Sequence, residues 1–297
     1  MTSISIITPS YNQGRFIERT ILSVLSQPVT DLEYVVFDGG SSDETVDVLR
    51  KYEHRLRWVS EKDRGQPDAV NKGLKSTHGD IIGWVNSDDI FYPGVLAEVV
   101  RYFDAHPEVD VVYGDADIID ENDQVVEPYP TEPWNLERFK SDCYLSQPAT
   151  FFRRRMIDRF GYLILEYHYT LDYEYWLRLA LGGAVFHYYP IKMAGARIYP
   201  ETKTISGKLR THYEINDMMI RKLGRVPDRW LFNFGHAVLY QRGMPRSQRF
   251  RFAVAISAIS LWAALRWNKR ISRNMLATTA HWMVGNARTT LKEKMGR

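Results

Sequence analysis

Cysteine is almost absent from this 297-residue chain: Cys143 stands alone, which excludes an internal disulfide and fits a reducing compartment. With no partner at ligand spacing, Cys143 reads as a core or surface bystander rather than a metal ligand. No basic-then-apolar leader precedes the first strand-like run, Ser3-Ile4-Ser5-Ile6-Ile7-Thr8, so the expectation is a protein at work in the cytoplasm. An uncharged apolar run in the tail, Phe252 to Leu265, is 14 residues, short of the ~20 that span a bilayer. Beyond residue 206 there is neither a repeat nor a low-complexity tract. No Gly-x-Gly-x-x-Gly occurs, so Gly39-Gly40 is not a dinucleotide fingerprint.

What is present belongs to a folded globule. The chain is 44% hydrophobic and 25% charged, and long enough to bury a large core in one big domain or two small ones. A net charge of +3 hides an asymmetry. Residues 242–297 hold 12 Lys/Arg against one acid, Glu293, a net of +11, and residues 1–241 hold 27 bases against 35 acids, a net of −8. An acidic globule with a basic tail points to two jobs.

Apolar runs near 3–8, 33–38, 56–60 and 81–85 alternate with helix-period segments near 14–26, 43–52, 66–76 and 94–105. That alternation with short connections predicts an α/β fold, a mostly parallel sheet flanked by helices. Asp110 to Tyr113 reads as a fifth strand, and 116–126 as a hairpin turning at Asp120-Glu121-Asn122-Asp123. Further strands are expected at 150–152 and 185–189, a helix at 172–181, and helices from 206 to the end.

Each early strand ends in polar, turn-forming sequence. Asn86-Ser87-Asp88-Asp89 follows the fourth, and two adjacent acids at the carboxyl end of a strand need a cation or a donor-rich ligand to offset their repulsion. Hard oxygens there suit Mg²⁺ or Mn²⁺ bridging to a phosphate, and an exposed turn or helix cap is the plain alternative. Thr8-Pro9-Ser10-Tyr11-Asn12 offers a frame for a planar base, or an ordinary strand-to-helix turn. In Asp38-Gly39-Gly40-Ser41-Ser42-Asp43, the carboxylate of Asp38 can accept a ring N–H while Asp43 serves as a helix cap. Asp63 to Asn71 brings Asp68 and Asn71, either to the same crevice or only to a solvated first turn. Four consecutive strands each ending this way is the informative pattern.

Taken in order, Ile7-Thr8-Pro9-Ser10-Tyr11-Asn12, Asp38-Gly39-Gly40-Ser41-Ser42-Asp43, Asp63-x-Gly65-x-x-Asp68-Ala69-x-Asn71-x-Gly73 and Asn86-Ser87-Asp88-Asp89 resemble the GT-A core of family 2 glycosyltransferases. Ser146-Gln147-Pro148-Ala149-Thr150-Phe151-Phe152 and Leu171-Asp172-Tyr173-Glu174-Tyr175-Trp176-Leu177-Arg178 extend the resemblance, which covers residues 3–205. It implies a nucleotide-sugar-binding, catalytic GT-A domain at 1–205 and a basic helical extension at 206–297. It implies that Pro9, Tyr11 and Asp38 contact base and ribose, and that Asp63 and Asp68 close around the diphosphate and sugar. Asp88 would be the principal ligand of Mg²⁺ or Mn²⁺, Asp89 would face the sugar or support the loop, and Asn86 joins the donor-binding set. Asp172 would be the general base of an inverting transfer, with helix N-cap as its plain alternative, and Trp176 and Arg178 would support its helix.

Two departures stand out. Asn86 replaces the first acid of the usual Asp-x-Asp, and Arg197-Ile198-Tyr199 stands where relatives often carry a histidine that completes the metal shell. Tyr199 is a poor ligand at neutral pH, so the ion would have few protein ligands and keep several waters. His168 reads as acceptor-side or structural. In the tail, Arg246, Arg249, Arg251, Arg266, Lys269, Arg270 and Arg273 beside Phe252, Leu261, Trp262 and Trp267 describe an interfacial membrane helix, with domain packing or assembly as alternatives and no nucleic-acid module. The expected function is transfer of a sugar from a nucleotide-diphosphate donor to a glycan or lipid-linked hydroxyl in surface-polysaccharide or glycolipid assembly, peripheral on the inner face of the cell membrane. A non-catalytic nucleotide-sugar scaffold is the alternative, motivated by Asn86 and Tyr199. A nucleotidyltransferase would need a glycine-rich, Arg-bearing loop that Pro9 to Gly14 does not offer.

Overall fold

The computed structural model describes residues 2–295, with backbone alone at 204 and 285–295; Gly296 and Arg297 of the expected helical tail lie outside the described residues. The chain forms two compact units, Met1–Phe139 with Cys143–Pro200, and Lys140–Asp142 with Glu201–Arg297. The division thus falls five residues before the expected boundary, and three residues of an internal loop join the second unit.

The first unit opens with β1 (Ile4–Ser10), α1 (Gly14–Leu25), β2 (Leu32–Asp38), α2 (Thr45–Lys51), β3 (Arg57–Ser60), α3 (Gln66–Ser76) and β4 (Ile81–Trp84). Every residue of β1 is buried, as a central strand covered on both faces requires. Phe16, Ile17, Ile21 and Val24 recur at helical spacing and turn one face of α1 into the core. Helix α3 can lie close to β1 because Gly73 has no side chain; a Cβ there would sit 2.4 Å from Ile7 Cγ2.

These four strands run parallel in the order β3-β2-β1-β4. The order reverses at β1, whose two neighbours lead away in opposite directions. That is the switch point where the carboxyl ends of an open α/β sheet leave a crevice.

The chain continues through β5 (Ile90–Phe91), α4 (Val95–Ala105), β6 (Val111–Ile119), β7 (Val125–Pro128), α5 (Leu136–Phe139), β8 (Thr150–Arg153), α6 (Arg155–Phe160), α7 (Leu171–Leu181) and β9 (Phe186–Arg197). Several expectations are corrected here. Ile90-Phe91 is a short strand antiparallel to β9, and α4 begins at Val95, one residue after the expected start at 94. The fifth strand and the first arm of the expected hairpin are one continuous strand, β6, folding back on β7. Strand β9 runs eight residues past its expected end at 189, because its second half pairs with β6 and β5. Its last residue is Arg197.

The second unit contains α8 (Lys203–Ser206), α9 (Lys208–Leu223), α10 (Asp228–Gln241), α11 (Arg249–Asn268) and α12 (Arg273–Met295). Trp267 Nε1 donates to Asp217 at 2.6 Å, and Asn268 clamps both backbone groups of Val226 at 2.7 and 2.9 Å. The 14-residue uncharged run sits inside a helix of 20 residues, which is long and apolar enough to cross a membrane by length and composition alone.

Candidate active site

The register of the parallel strands lines up their ends. Ser10 pairs with Asp38, and Asp38 with Ser60. Asp38 is 2% exposed and shapes the loop it begins. Its Oδ2 accepts from Gly40 N, Ser41 N and Ser60 Oγ at 3.1, 2.8 and 2.6 Å, and its Oδ1 accepts from Ser41 Oγ. Only Oδ1 keeps capacity for a further donor, so Asp38 is first of all the residue that folds this turn. Gly40 sits at φ +82°, a conformation that costs any other residue more. Ser41 Oγ accepts Asn12 N at 2.7 Å and Asn12 Oδ1 accepts Ser42 N at 2.9 Å, tying the ends of β1 and β2 together. Asp43 caps as expected, accepting Gly14 N at 2.9 Å and Thr45 N at 3.1 Å. Burial works against its charge, but the bonds from Thr45 and Gly14 outweigh it and hold the carboxyl below its ordinary range. Beside this turn Tyr11 is 62% exposed, while Pro9 is buried in β1.

The third loop closes on the second. A Cβ on Gly39 would lie 2.9 Å from Asp63 Oδ2, and Asp63 Oδ1 accepts Gly65 N at 2.8 Å. Asp68 accepts the backbone N and guanidinium of Arg64 at 3.1 and 3.0 Å. Burial would raise its pKa, yet the bonds and charge of Arg64 pull it below the usual range. Asp68 therefore holds its own first turn.

The acid loop after β4 is wired to three other segments. Tyr199 OH donates to Asp88 Oδ2 at 2.7 Å, and Gln13 Nε2 donates to the same phenol at 3.1 Å. Asp89, 5% exposed, accepts Arg197 N at 2.8 Å and Asn86 Nδ2 at 3.0 Å. Burial, reinforced by Asp88 next door, raises the Asp89 pKa against those two donors. Asn86 Oδ1 in turn accepts Gln66 Nε2 at 2.7 Å. Asp89 and Asn86 both support this loop through these bonds.

Helix α7 is fixed to the end of β4 by Trp176 stacked on Trp84, centroids 5.1 Å apart and planes 15° from parallel. Asp172 lies one turn before Trp176, in the first turn of α7, where the helix dipole favours an anion. Its Oδ1 accepts Tyr173 N at 2.8 Å, and the N-cap position belongs to Thr170. The loop entering α7 is pinned to α3: Asn71 Nδ2 donates to Leu163 O at 2.8 Å and Asn71 Oδ1 accepts Leu163 N at 2.9 Å. His168 Nδ1 lies 3.4 Å from where a Cβ on Gly65 would stand. These contacts bring the amino end of α7 to the carboxyl edge of the sheet. Arg178 holds Glu174 at 3.0 Å and the carbonyls of Phe160 and Tyr162, the supporting role expected of it.

Among the described residues, no three His, Cys, Asp or Glu side chains are grouped to hold a metal ion. The donor set fits a hard divalent cation at a single acid, Asp88, with the remaining positions left to diphosphate oxygens and water. Arg197, Gln13 and Gln66 are the site residues that sequence reasoning missed as participants. Arg197 donates to Asp88 O at 2.6 Å and to Asp120 O and Asp123, with its side chain fully buried. Its only sequence signal was adjacency to Tyr199.

A family model described as glycosyl transferase family 2 matches residues 5–161. An uncharacterized glycosyltransferase of Mycobacterium tuberculosis is 32% identical over 184 residues, covering 60% of this chain and 69% of that protein. One from Nostoc sp. is 26% identical over 254 residues, covering 73% and 76%. Chondroitin synthase of Escherichia coli is 26% identical over 231 residues, but this chain spans only 33% of its length. Among solved structures, S. aureus TarS 1-349 in complex with UDP-GlcNAc superposes with a TM-score of 0.61 at 17% identity, over 99% of this chain and 92% of that one. The mannosyltransferase PcManGT from Pyrobaculum calidifontis, in complex with GDP-Man and Mn²⁺, gives 0.57 at 18% identity, over 96% and 84%. Both share the fold.

Proposed function

The chain belongs to glycosyl transferase family 2, and from that premise we propose that it is an inverting enzyme moving a sugar from a nucleotide-diphosphate donor to a hydroxyl of a glycan or lipid-linked acceptor. Surface-polysaccharide or glycolipid assembly is the process this reading favours. The observation that carries it is the Trp176–Trp84 stack, which ties α7, one turn along from Asp172, to the end of the strand that leads into Asp88. The likeness in fold to proteins solved with UDP-GlcNAc and with GDP-Man supports a nucleotide-sugar donor, and the similarity to a chondroitin synthase supports a glycan acceptor.

In this reading the loops after β1, β2 and β3 hold the nucleotide, with exposed Tyr11 offering a stacking face. Asp88 would hold Mg²⁺ or Mn²⁺, which when bound stabilises charge on the departing diphosphate. The acceptor oxygen forms its bond to the anomeric carbon as the bond to the diphosphate oxygen breaks and its electron pair leaves with that oxygen. The acceptor proton passes to the carboxylate of Asp172. With base and leaving group on opposite sides of the sugar, one displacement inverts the centre and no covalent nucleophile is needed.

The test is donor hydrolysis and sugar transfer across UDP- and GDP-sugars by wild type and Asp172→Asn, with donor binding followed by thermal shift. The variant should bind the donor as wild type does and lose roughly 100-fold or more in turnover, the usual range of general-base contributions starting at about 100-fold. Undiminished turnover removes Asp172 from the mechanism, and a retained anomeric configuration removes the single displacement.

A further inference from the structure

Helix α11 buries a mostly small row: Ala253, Ser257, Ser260, Ala263 and Ala264 are each 3% exposed or less, with Ile256 and Trp267 as its larger members. Four bulky apolar side chains point outward instead, with Phe250 at 43%, Val254 at 42%, Trp262 at 50% and Leu265 at 52% exposed. Those four positions recur at helical spacing and form one stripe, the reverse of a helix that faces water. Small residues let the helices close: a Cβ on Gly235 of α10 would sit 2.7 Å from Ser260 Oγ. Small side chains at the helix contact and large apolar ones outside is how helices pack when their outer face meets lipid.

Charge identifies the lipid. Arg249 and Arg251 at one end of the stripe and Arg266, Lys269 and Arg270 at the other are all exposed. No acid occurs between Arg242 and Lys292. A second copy seated on this face would bring two rims of the same sign together, which opposes a symmetric dimer. Anionic phosphate headgroups complement the rim, and an acyl boundary complements the stripe. The uncharged run of 14 residues rises about 21 Å, against about 30 Å of bilayer core, so the helix is too short between its charges to stand upright.

We propose that α11 lies flat on an anionic lipid leaflet, with Phe250, Val254, Trp262 and Leu265 in the headgroup–acyl boundary and the flanking arginines on lipid phosphates. This stands apart from the transfer chemistry and holds whether or not Asp172 is the base.

The full chain is floated with extruded vesicles of phosphatidylcholine alone or with about one-third phosphatidylglycerol, at low and high salt, in line with the screening of surface charge. Wild type should float with the anionic vesicles only, less so in high salt. The double variant Trp262→Glu/Leu265→Glu should bind about tenfold more weakly, with an unchanged melting temperature and unchanged donor hydrolysis. Should that variant fail to fold, Trp262→Phe replaces it: quenching of tryptophan emission by brominated lipid must then drop relative to wild type. Equal binding of the anionic vesicles by wild type and the double variant, or unaltered quenching in Trp262→Phe, overturns the proposal. So do resistance to alkaline carbonate extraction, which marks a spanning helix, and a dimer by light scattering that the double variant dissolves without any lipid binding.

Discussion

The phenol of Tyr199 donates to Asp88 at 2.7 Å, so the last residues of the first unit restrain the acid proposed to hold a metal ion. Burial raises the Tyr199 pKa, and the Asp88 charge raises it further, so the group stays a phenol and a donor across the physiological range. Arg15 lies 4.6 Å over its ring and Gln13 bonds its oxygen, which fixes the ring from two more sides. Tyr199 is thus a positioning residue acting through Asp88.

Tyr199→Phe keeps the ring and removes the bond. A hydrogen bond to a charged group contributes about 1.5–3 kcal/mol, so kcat/KM should fall roughly 10- to 100-fold. The half-saturating Mn²⁺ concentration should rise, and the melting temperature should fall by about 3–12 °C as the bond is lost from the folded protein. An unchanged Mn²⁺ requirement would reduce Tyr199 to packing.

Asp88 and Asp89, adjacent in sequence, should respond differently. Chelation should abolish turnover and added Mn²⁺ restore it, with Asp88→Asn needing at least about tenfold more Mn²⁺, consistent with the loss of an anionic oxygen ligand. Asp89→Asn sets an amide donor against donors from Arg197 and Asn86. It should destabilise the fold by about 1–3 kcal/mol, the cost of unsatisfied buried polar groups. Equal Mn²⁺ effects from the two variants would contradict this division.

Arg197→Met removes the buried guanidinium that joins Asp88 O, Asp120 O and the Asp123 carboxylate. Breaking one side of such a network costs about 3–5 kcal/mol. For a unit of this size that corresponds to a drop of about 6–20 °C in melting temperature. Calorimetry showing a drop under about 2 °C would mean that water replaces the network at little cost.

His212 in α9 should make the second unit acid-labile. Burial, with Lys208 and His236 adding in the same direction, lowers its pKa from 6.5 to about 4. Between those values the unfolded chain binds the proton and the folded one does not. The contribution is therefore fully present above pH 6.5 and is lost as pH falls toward 4, amounting to at most ~3 kcal/mol. His212→Gln should flatten the fall in unfolding midpoint across that window, and an identical pH profile in the variant would assign the lability elsewhere.

The polar ends of the first four strands were readable as one pattern because parallel strands with short connections must deliver their carboxyl ends to one edge. The placement of Asp172 was readable through the family motif, and Trp176 gains its reason only from Trp84, 92 positions earlier in the sequence. That Asp38, Asp68, Asn86 and Asp89 also hold their own loops was not legible, because a carboxylate or amide in a loop looks the same whatever it turns to. Their hydrogen-bond partners are residues brought in by the fold. The length of β9 was hidden for a related reason: its second half is held by pairing with β6 and β5, not by its own alternation.

The sequence by itself determined the α/β alternation, the acid-bearing strand ends, the lone Cys143 and the charge contrast between globule and tail, all of which are local or compositional. Only the tertiary structure decided that Tyr199 and Arg197 converge on the Asp88-Asp89 loop, and that α11 turns its serines inward and Trp262 outward. Periodicity reports that a helix has two faces; which of them is covered depends on what the rest of the chain packs against it.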